Sequence, residues 1–173
     1  MAEAAPGNAP IIVTALFGAE DFAWLDGLRR AHFPPERNVV PAHCTLFHHL
    51  APELAPELKQ RLSAATRGAA RPVAQIAGVL DLGGGVAFRI ESDDLADIRA
   101  DLADAFAPML VPQDRAGWRA HVTVQNKVAR PQTKQLLEGL RAGFAPKPLT
   151  IVGLASWWYR GGPWEPHSRH MFA

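Results

Sequence analysis

The sequence predicts a mixed α+β fold in which strands and helices follow one another in the order β α β α β β α β α β. Apolar, β-branched runs bounded by glycine or proline indicate the strands, and leucines at helical spacing indicate the helices. The two middle strands are joined directly across Gly83–Gly85, a hairpin signal. This order excludes a doubly wound parallel sheet, in which a helix would follow each strand.

The first half of the chain contains two strand–helix pairs. Residues 11–17 are β-branched and predict a buried strand, and residues 21–31 carry apolar side chains at helical spacing up to the break at Pro34. A second short strand is predicted over residues 42–47. A second helix follows over residues 52–65, where leucines recur at every fourth position.

The second half begins with the hairpin, whose strands cover residues 73–82 and 86–91. Ser92 supplies an N-cap oxygen for a helix over residues 93–107, and its first turns are acidic, as the helix dipole favours. The remaining predicted elements are a strand over 120–125, a helix over 132–142 and an aromatic strand over 149–159.

A single domain is expected over residues 10–166, between a flexible leader (1–9) and a tail (167–173). The chain of 173 residues can bury one sizeable core without disulfides or metal. The last residues are too rich in glycine and proline for a helix, so His167 and His170 are expected to be solvated.

Composition excludes several classes of protein. With 48% hydrophobic and 20% charged residues, wholesale disorder is excluded. No apolar run approaches the about 20 residues of a membrane span, and the N-terminus lacks a signal-peptide pattern. The single cysteine, Cys44, excludes an internal disulfide and a multi-thiolate metal site. We therefore expect a cytoplasmic monomer without membrane contact.

Charge is segregated along the chain although the net charge is only +1. Residues 91–104 hold six acidic side chains and one basic one, whereas residues 115–141 hold six basic side chains and one acidic one. The pattern is typical of two separate solvated faces. It also permits a locally positive pocket suited to one or two phosphates.

The most informative feature is a tetrapeptide of the form His, apolar, Thr, apolar that occurs twice. One copy begins at His43 and the other at His121. Alternate side chains of a strand share a face, so His43 and Thr45 are predicted on one face, and His121 and Thr123 likewise. Either copy alone is most simply a satisfied strand histidine. Two copies at equivalent positions after comparable helices favour a shared site.

Such a site offers acid–base chemistry without a metal. Imidazole has an ordinary pKa near 6.5, so one histidine can be neutral and accept a proton while the other is charged and donates one. In-line displacement at phosphorus needs this pair on opposite sides of the phosphate. The two threonine hydroxyls can donate hydrogen bonds to its nonbridging oxygens.

These motifs resemble those of the 2H phosphoesterases, the superfamily of bacterial 2′-5′ RNA ligases and cyclic nucleotide phosphodiesterases. Its hallmark is two His-x-Thr/Ser-x motifs, and the run from His43 to Leu50 (HCTLFHHL) and the segment 157–166 (WWYRGGPWEP) are similar to family sequences. The resemblance covers about residues 10–166 in element order. It implies two pseudo-symmetric β/α lobes with antiparallel-rich sheets around a central cleft.

The resemblance also implies a function. We expect a metal-independent phosphodiesterase, without a cofactor, that acts on nucleotides or RNA ends with a 2′,3′-cyclic phosphate or 2′-5′ linkage. The reverse reaction would be 2′-5′ RNA ligation. His43 is assigned as general acid and His121 as general base, although the motif symmetry permits the reverse. The alternative is a nucleotide-binding module with the same fold and no turnover.

Four further residues are candidates for substrate binding. Many family members carry an arginine soon after the second motif, and here Lys127 or Arg130 would replace it. Trp118, three residues before the second motif, is a candidate for stacking on a base. His49 shares the face of His43 if the strand is regular. A zinc site on these two histidines would lack a third ligand of matching spacing.

Two neighbouring features have simpler interpretations. Cys44 is expected to be a core residue, because adjacent strand residues point to opposite faces. Trp157 and Trp158 are also adjacent, and at least one of them is expected in the core.

Overall fold

The computed structural model describes residues 9–173, which form two four-stranded antiparallel sheets. Strands are numbered along the chain. The first sheet has the order β2-β1-β7-β8. Its strands are β1 (Ile11–Phe17), β2 (Cys44–Leu50), β7 (Ile151–Trp158) and β8 (Glu165–Met171).

The second sheet has the order β5-β4-β3-β6, and its outermost strand β6 is very short. Its strands are β3 (Gln75–Asp81), β4 (Val86–Glu91), β5 (His121–Gln125) and β6 (Lys147–Pro148). The predicted hairpin is confirmed, since β3 and β4 pair antiparallel across Gly83–Gly85. A side chain at Gly85 would collide with the Gln125 carbonyl, so the close approach of this turn requires glycine.

Five helices connect the strands of the described region, and none of them is long and apolar enough to cross a bilayer. Ser92 caps the third helix as predicted, its Oγ accepting a hydrogen bond from the backbone N–H of Leu95 at 3.1 Å. The helices are α1 (Ala19–His32), α2 (Ala55–Thr66), α3 (Asp93–Phe106), α4 (Pro112–Arg115) and α5 (Arg130–Arg141).

The two halves of the fold repeat one arrangement. In each half an inner strand leads through a helix to an edge strand that pairs antiparallel with it: β1, α1 and β2 in the first half, β4, α3 and β5 in the second. The predicted α+β architecture of two antiparallel-rich lobes is therefore confirmed. One hydrophobic cluster, which includes Phe47, Phe88 and Phe106, connects the lobes.

The prediction that residues 167–173 form a tail outside the fold is wrong, because residues 165–171 form β8 and pair with β7. Its polar residues show no apolar alternation, so a sequence pattern does not reveal this edge strand. Gly153 in β7 permits the close pairing, since a side chain there would lie 2.6 Å from the His170 carbonyl. Phe172 beyond the strand is only 7% exposed and joins the core.

The prediction that the two histidines of β8 are solvated is accordingly wrong. His167 and His170 are both half-buried. The Nδ1 of His167 lies 2.8 Å from Ser156 Oγ, and the Nε2 of His170 lies 3.0 Å from Ser168 Oγ. The predicted leader lies outside the described residues except for Ala9, which is buried.

Candidate active site

The two tetrapeptides lie where the sheets meet. Strands β2 and β5 are edge strands of their respective sheets, and they contact each other. His43 directly precedes β2, and His121 is the first residue of β5. Burial raises the pKa of the Cys44 thiol to about 12, and the nearby backbone N–H of His121 opposes this shift. The beginnings of the two motifs are therefore neighbours in space.

The predicted alternation within both motifs is confirmed. Cys44 and Leu46 are fully buried in the core, as are Val122 and Val124 in β5, and this places Cys44 as the core residue expected from the sequence. The histidines and threonines between them are half-buried. Both strands thus insert their apolar residues into the core and leave the polar pair on the opposite face.

The two imidazoles are held in the same way. Nδ1 of His43 lies 2.8 Å from the carbonyl oxygen of Pro41, and Nδ1 of His121 lies 2.8 Å from that of Arg119. A carbonyl oxygen only accepts hydrogen bonds, so each Nδ1 carries a proton and donates it. Each Nε2 therefore remains available as the reactive nitrogen.

The electrostatic surroundings hold His43 neutral. Burial lowers its pKa to about 4, with the Pro41 carbonyl opposing this effect and the positive charges of Arg29, His121 and His48 adding to it. The charge of His121 acts on His43 because the two motifs lie close together. At neutral pH, His43 is therefore able to accept a proton at Nε2.

Two buried arginines connect the lobes at the site. Arg29 of α1 donates from its NH1 group to the carbonyl of Thr123 at 2.9 Å, and α1 packs against β5. Arg99 of α3 donates from Nε to the carbonyl of Leu46 in β2 at 3.1 Å. A helix of each lobe thus holds the motif strand of the other lobe. Neither arginine was predicted from the sequence. The signal that could have found Arg29 is its spacing: it follows Leu25 by four residues, so the two side chains share the apolar, buried face of α1.

An aromatic cleft of about 460 Å³ opens beside His43. The rings of His43 and Trp164 meet edge to face with centroids 4.6 Å apart, and the Trp157 ring lies 6.4 Å from that of Trp164. Trp157 is held by a 2.9 Å hydrogen bond from Nε1 to Thr14 Oγ1. Trp158 is buried instead, which confirms that one of the adjacent tryptophans is core.

A family model described as the 2′-5′ RNA ligase superfamily matches residues 17–163, most of the chain. The chain belongs to this superfamily. A search of curated proteins gave no significant match.

Solved structures share the fold at low identity. The protein TT0787 of Thermus thermophilus is 14% identical, with a TM-score of 0.67 over 94% of this chain and 97% of that one. E. coli LigT complexed with 3′-AMP is 13% identical, with a TM-score of 0.61 over 95% of this chain and 98% of that one. These similarities show that the chain shares its overall fold with both proteins.

The first motif strand of this superfamily member is anchored by Asp114 in α4. Its buried carboxylate accepts hydrogen bonds from the backbone N–H groups of His48 at 2.9 Å and His49 at 3.0 Å. The pairing of β2 with β1 is irregular here, because Phe47 pairs with Val13 while Leu50 pairs with Ile11. The prediction for His49 assumed a regular strand; that assumption is wrong, and His49 is exposed.

Trp118 makes contacts that differ from those predicted. Its Nε1 donates to the carbonyl of Thr45 at 2.9 Å, and its ring packs against the core near the guanidinium of Arg99. The side chain therefore supports the first motif from behind, and these contacts favour a packing role over stacking on a base. The aromatic rings beside His43 belong to Trp157 and Trp164 instead.

Arg130 forms its contacts with the β3–β4 turn. It forms a bidentate ion pair with Asp81, with both N–O distances 2.6 Å, and also donates to the carbonyl of Gly83. This pair lowers the pKa of Asp81 and ties α5 to the β3–β4 turn, and a phosphate contact by Arg130 remains a prediction. Lys127 lies exposed in the turn after β5 with φ 63°, and its phosphate contact remains a prediction.

Proposed function

We propose that the protein is a metal-independent phosphodiesterase that opens 2′,3′-cyclic phosphates, or cleaves 2′-5′ linkages, at RNA ends or in nucleotides. One observation carries the proposal: the two motif histidines lie at the junction of two pseudo-symmetric edge strands, and both are fixed through Nδ1 to the carbonyl two residues earlier. This leaves two Nε2 atoms for one phosphate.

The lowered pKa of His43 supports the roles in the reverse of the order expected from the sequence. Neutral His43 takes a proton from the attacking water, whose oxygen forms the new bond to phosphorus. Protonated His121 donates its proton to the ribose oxygen as the bond between that oxygen and phosphorus breaks. The hydroxyls of Thr45 and Thr123 donate hydrogen bonds to the nonbridging oxygens, whose charge they stabilise. A ribose hydroxyl of a second RNA end in place of water would form the new bond to phosphorus by the same two proton transfers, which amounts to ligation.

The aromatic cleft supports a nucleotide as the substrate. Trp157 and Trp164 present ring surfaces next to His43, and aromatic faces accept any base. E. coli LigT, which shares the fold, was crystallised with 3′-AMP and, in a structure with a TM-score of 0.53, with NADP+. A nucleoside seated in the cleft would place its phosphate toward the two motifs.

Turnover in excess EDTA tests the proposed function. Because the motifs supply a base, an acid and hydrogen-bond donors, the protein should convert 2′,3′-cyclic nucleotides and cyclic-phosphate-ended RNA to monoesters at the same rate with and without chelator. Loss of activity in EDTA that zinc or magnesium restores would contradict the two-histidine mechanism. Tight nucleotide binding without any product would instead support the non-catalytic module.

A further inference from the structure

A row of four residues crosses the first sheet from the first motif to the far edge. Thr45 in β2 is paired with Thr14 in β1, Thr14 with Ala155 in β7, and Ala155 with Arg169 in β8. Residues directly opposite one another in neighbouring strands share a face. Arg169 therefore lies on the same face as Thr45, and it lines the same cleft as His43.

The guanidinium of Arg169 is available to a ligand. The side chain is exposed, and within residues 9–173 it forms neither an ion pair with a carboxylate nor a hydrogen bond to another side chain. The neighbouring residue Ser168 forms its side-chain hydrogen bond with Ser156, which lies opposite it in β7, and not with Arg169. An arginine that lines a cleft with unused donors suits a phosphate, which it can bind with two parallel hydrogen bonds.

The spacing along this row leaves room for a nucleoside. Neighbouring strands lie about 4.8 Å apart, so three spacings separate the backbones of Thr45 and Arg169 by roughly 14 Å. The floor between them consists of Thr14, which lines the cleft, and Ala155, whose side chain is a single methyl group. Trp157, two residues later in β7, stands on the same face and lines the cleft above this floor.

We propose that Arg169 binds a second phosphate of the substrate, one nucleoside away from the phosphate held by the two motifs. The inference rests on the proposed function for the position of the first phosphate. It names the substrate class as a nucleotide carrying a further phosphate on its 5′ oxygen. That phosphate is either the diester linking it to the rest of an RNA chain or a terminal monoester.

Equilibrium binding of product-like nucleotides tests the inference separately from catalysis. Wild-type protein should bind adenosine 2′,5′-bisphosphate about 10- to 100-fold more tightly than adenosine 2′-phosphate, the gain expected from a charge-assisted hydrogen-bonded pair. Arg169→Gln should abolish this preference and leave the affinity for adenosine 2′-phosphate unchanged. Arg67→Gln is the matched control, since Arg67 donates to Ser63 Oγ at the end of α2 and does not line the cleft.

A third ligand separates the two sources of the second phosphate. A dinucleotide ending in a 2′-phosphate carries the diester, and a preference for it over the bisphosphate assigns the site to RNA ends; the opposite order assigns it to 5′-phosphorylated mononucleotides. Equal affinities for all three ligands in the wild type, or a preference that survives in Arg169→Gln, would overturn the inference. Because these are binding measurements, failure of turnover alone counts against the proposed function and not against Arg169.

Discussion

His121→Ala is expected to lower kcat on 2′,3′-cyclic phosphates by at least about 10²-fold, and His43→Ala by a similar factor. A positioned acid or base typically contributes about 10²- to 10⁴-fold. Neither substitution creates a core cavity, because both side chains lie on the polar face of their strands. The two histidines serve the same reaction step. The loss of kcat in the double variant should therefore be far smaller than the product of the losses in the two single variants.

Single-turnover and steady-state assays on each variant measure this effect, with nucleotide titration showing that substrate still binds. His32→Ala, at the end of α1, is the control for loss of an imidazole outside the cleft. Near-wild-type turnover by His121→Ala with substrate binding retained would mean that the second motif is structural. The assignment as a two-histidine enzyme would then fail.

Asp114→Ala is expected to destabilise the fold by about 2–5 kcal/mol. The carboxylate is buried and accepts hydrogen bonds from the backbone N–H groups of His48 and His49. Removing it takes the charged acceptor from both backbone N–H groups, and a hydrogen bond to a charged group contributes about 1.5–3 kcal/mol. These donors lie in the irregular part of β2, where no strand pairing replaces the lost bonds.

Urea unfolding followed by circular dichroism measures the free energy of unfolding of this variant. Asp101→Ala, on an exposed position of α3, should change it by less than about 0.5 kcal/mol. Asp114→Asn, which keeps one acceptor oxygen, should lie between the two. If Asp114→Ala were as stable as the Asp101 variant, Asp114 would not anchor the first motif strand.

Stability should also depend on pH through Asp114. Burial acts to raise its pKa, but hydrogen bonds from His48 and His49 outweigh burial and lower it below the ordinary value. The contribution of this carboxylate is therefore present above its unfolded-state pKa and is lost as the pH falls through the lower folded-state pKa.

Much of the fold could be predicted from local patterns. The apolar runs at 11–17 and 86–91 and the Ser92 cap locate their elements closely, because burial of one face imposes periodicity on the sequence. Strand β8 could not be predicted in this way, since its pairing with β7 depends on an edge position and not on alternation. The short β6 gives too few residues for any pattern.

The candidate site, too, could be predicted where a local pattern determines it and not where distant residues meet. The alternation in both motifs is a local property, so the faces of His43 and His121 could be predicted. The ion pair of Arg130 with Asp81 and the contact of Arg29 with Thr123 join residues far apart in sequence, and only the tertiary structure reveals them. Whether a cationic side chain can reach a phosphate depends on such partners, which spacing alone does not reveal.

The pH dependence of kcat/KM tests the paired roles of the histidines most directly, because this ratio reports the acid and base of the free enzyme. With the pKa of His43 lowered to about 4, activity should rise with pH through about 4, where His43 becomes neutral. His43→Ala should remove the acidic limb, and circular dichroism at each pH excludes unfolding as its cause. An acidic limb at or above the ordinary histidine pKa, or unchanged in His43→Ala, would contradict neutral His43 as the base.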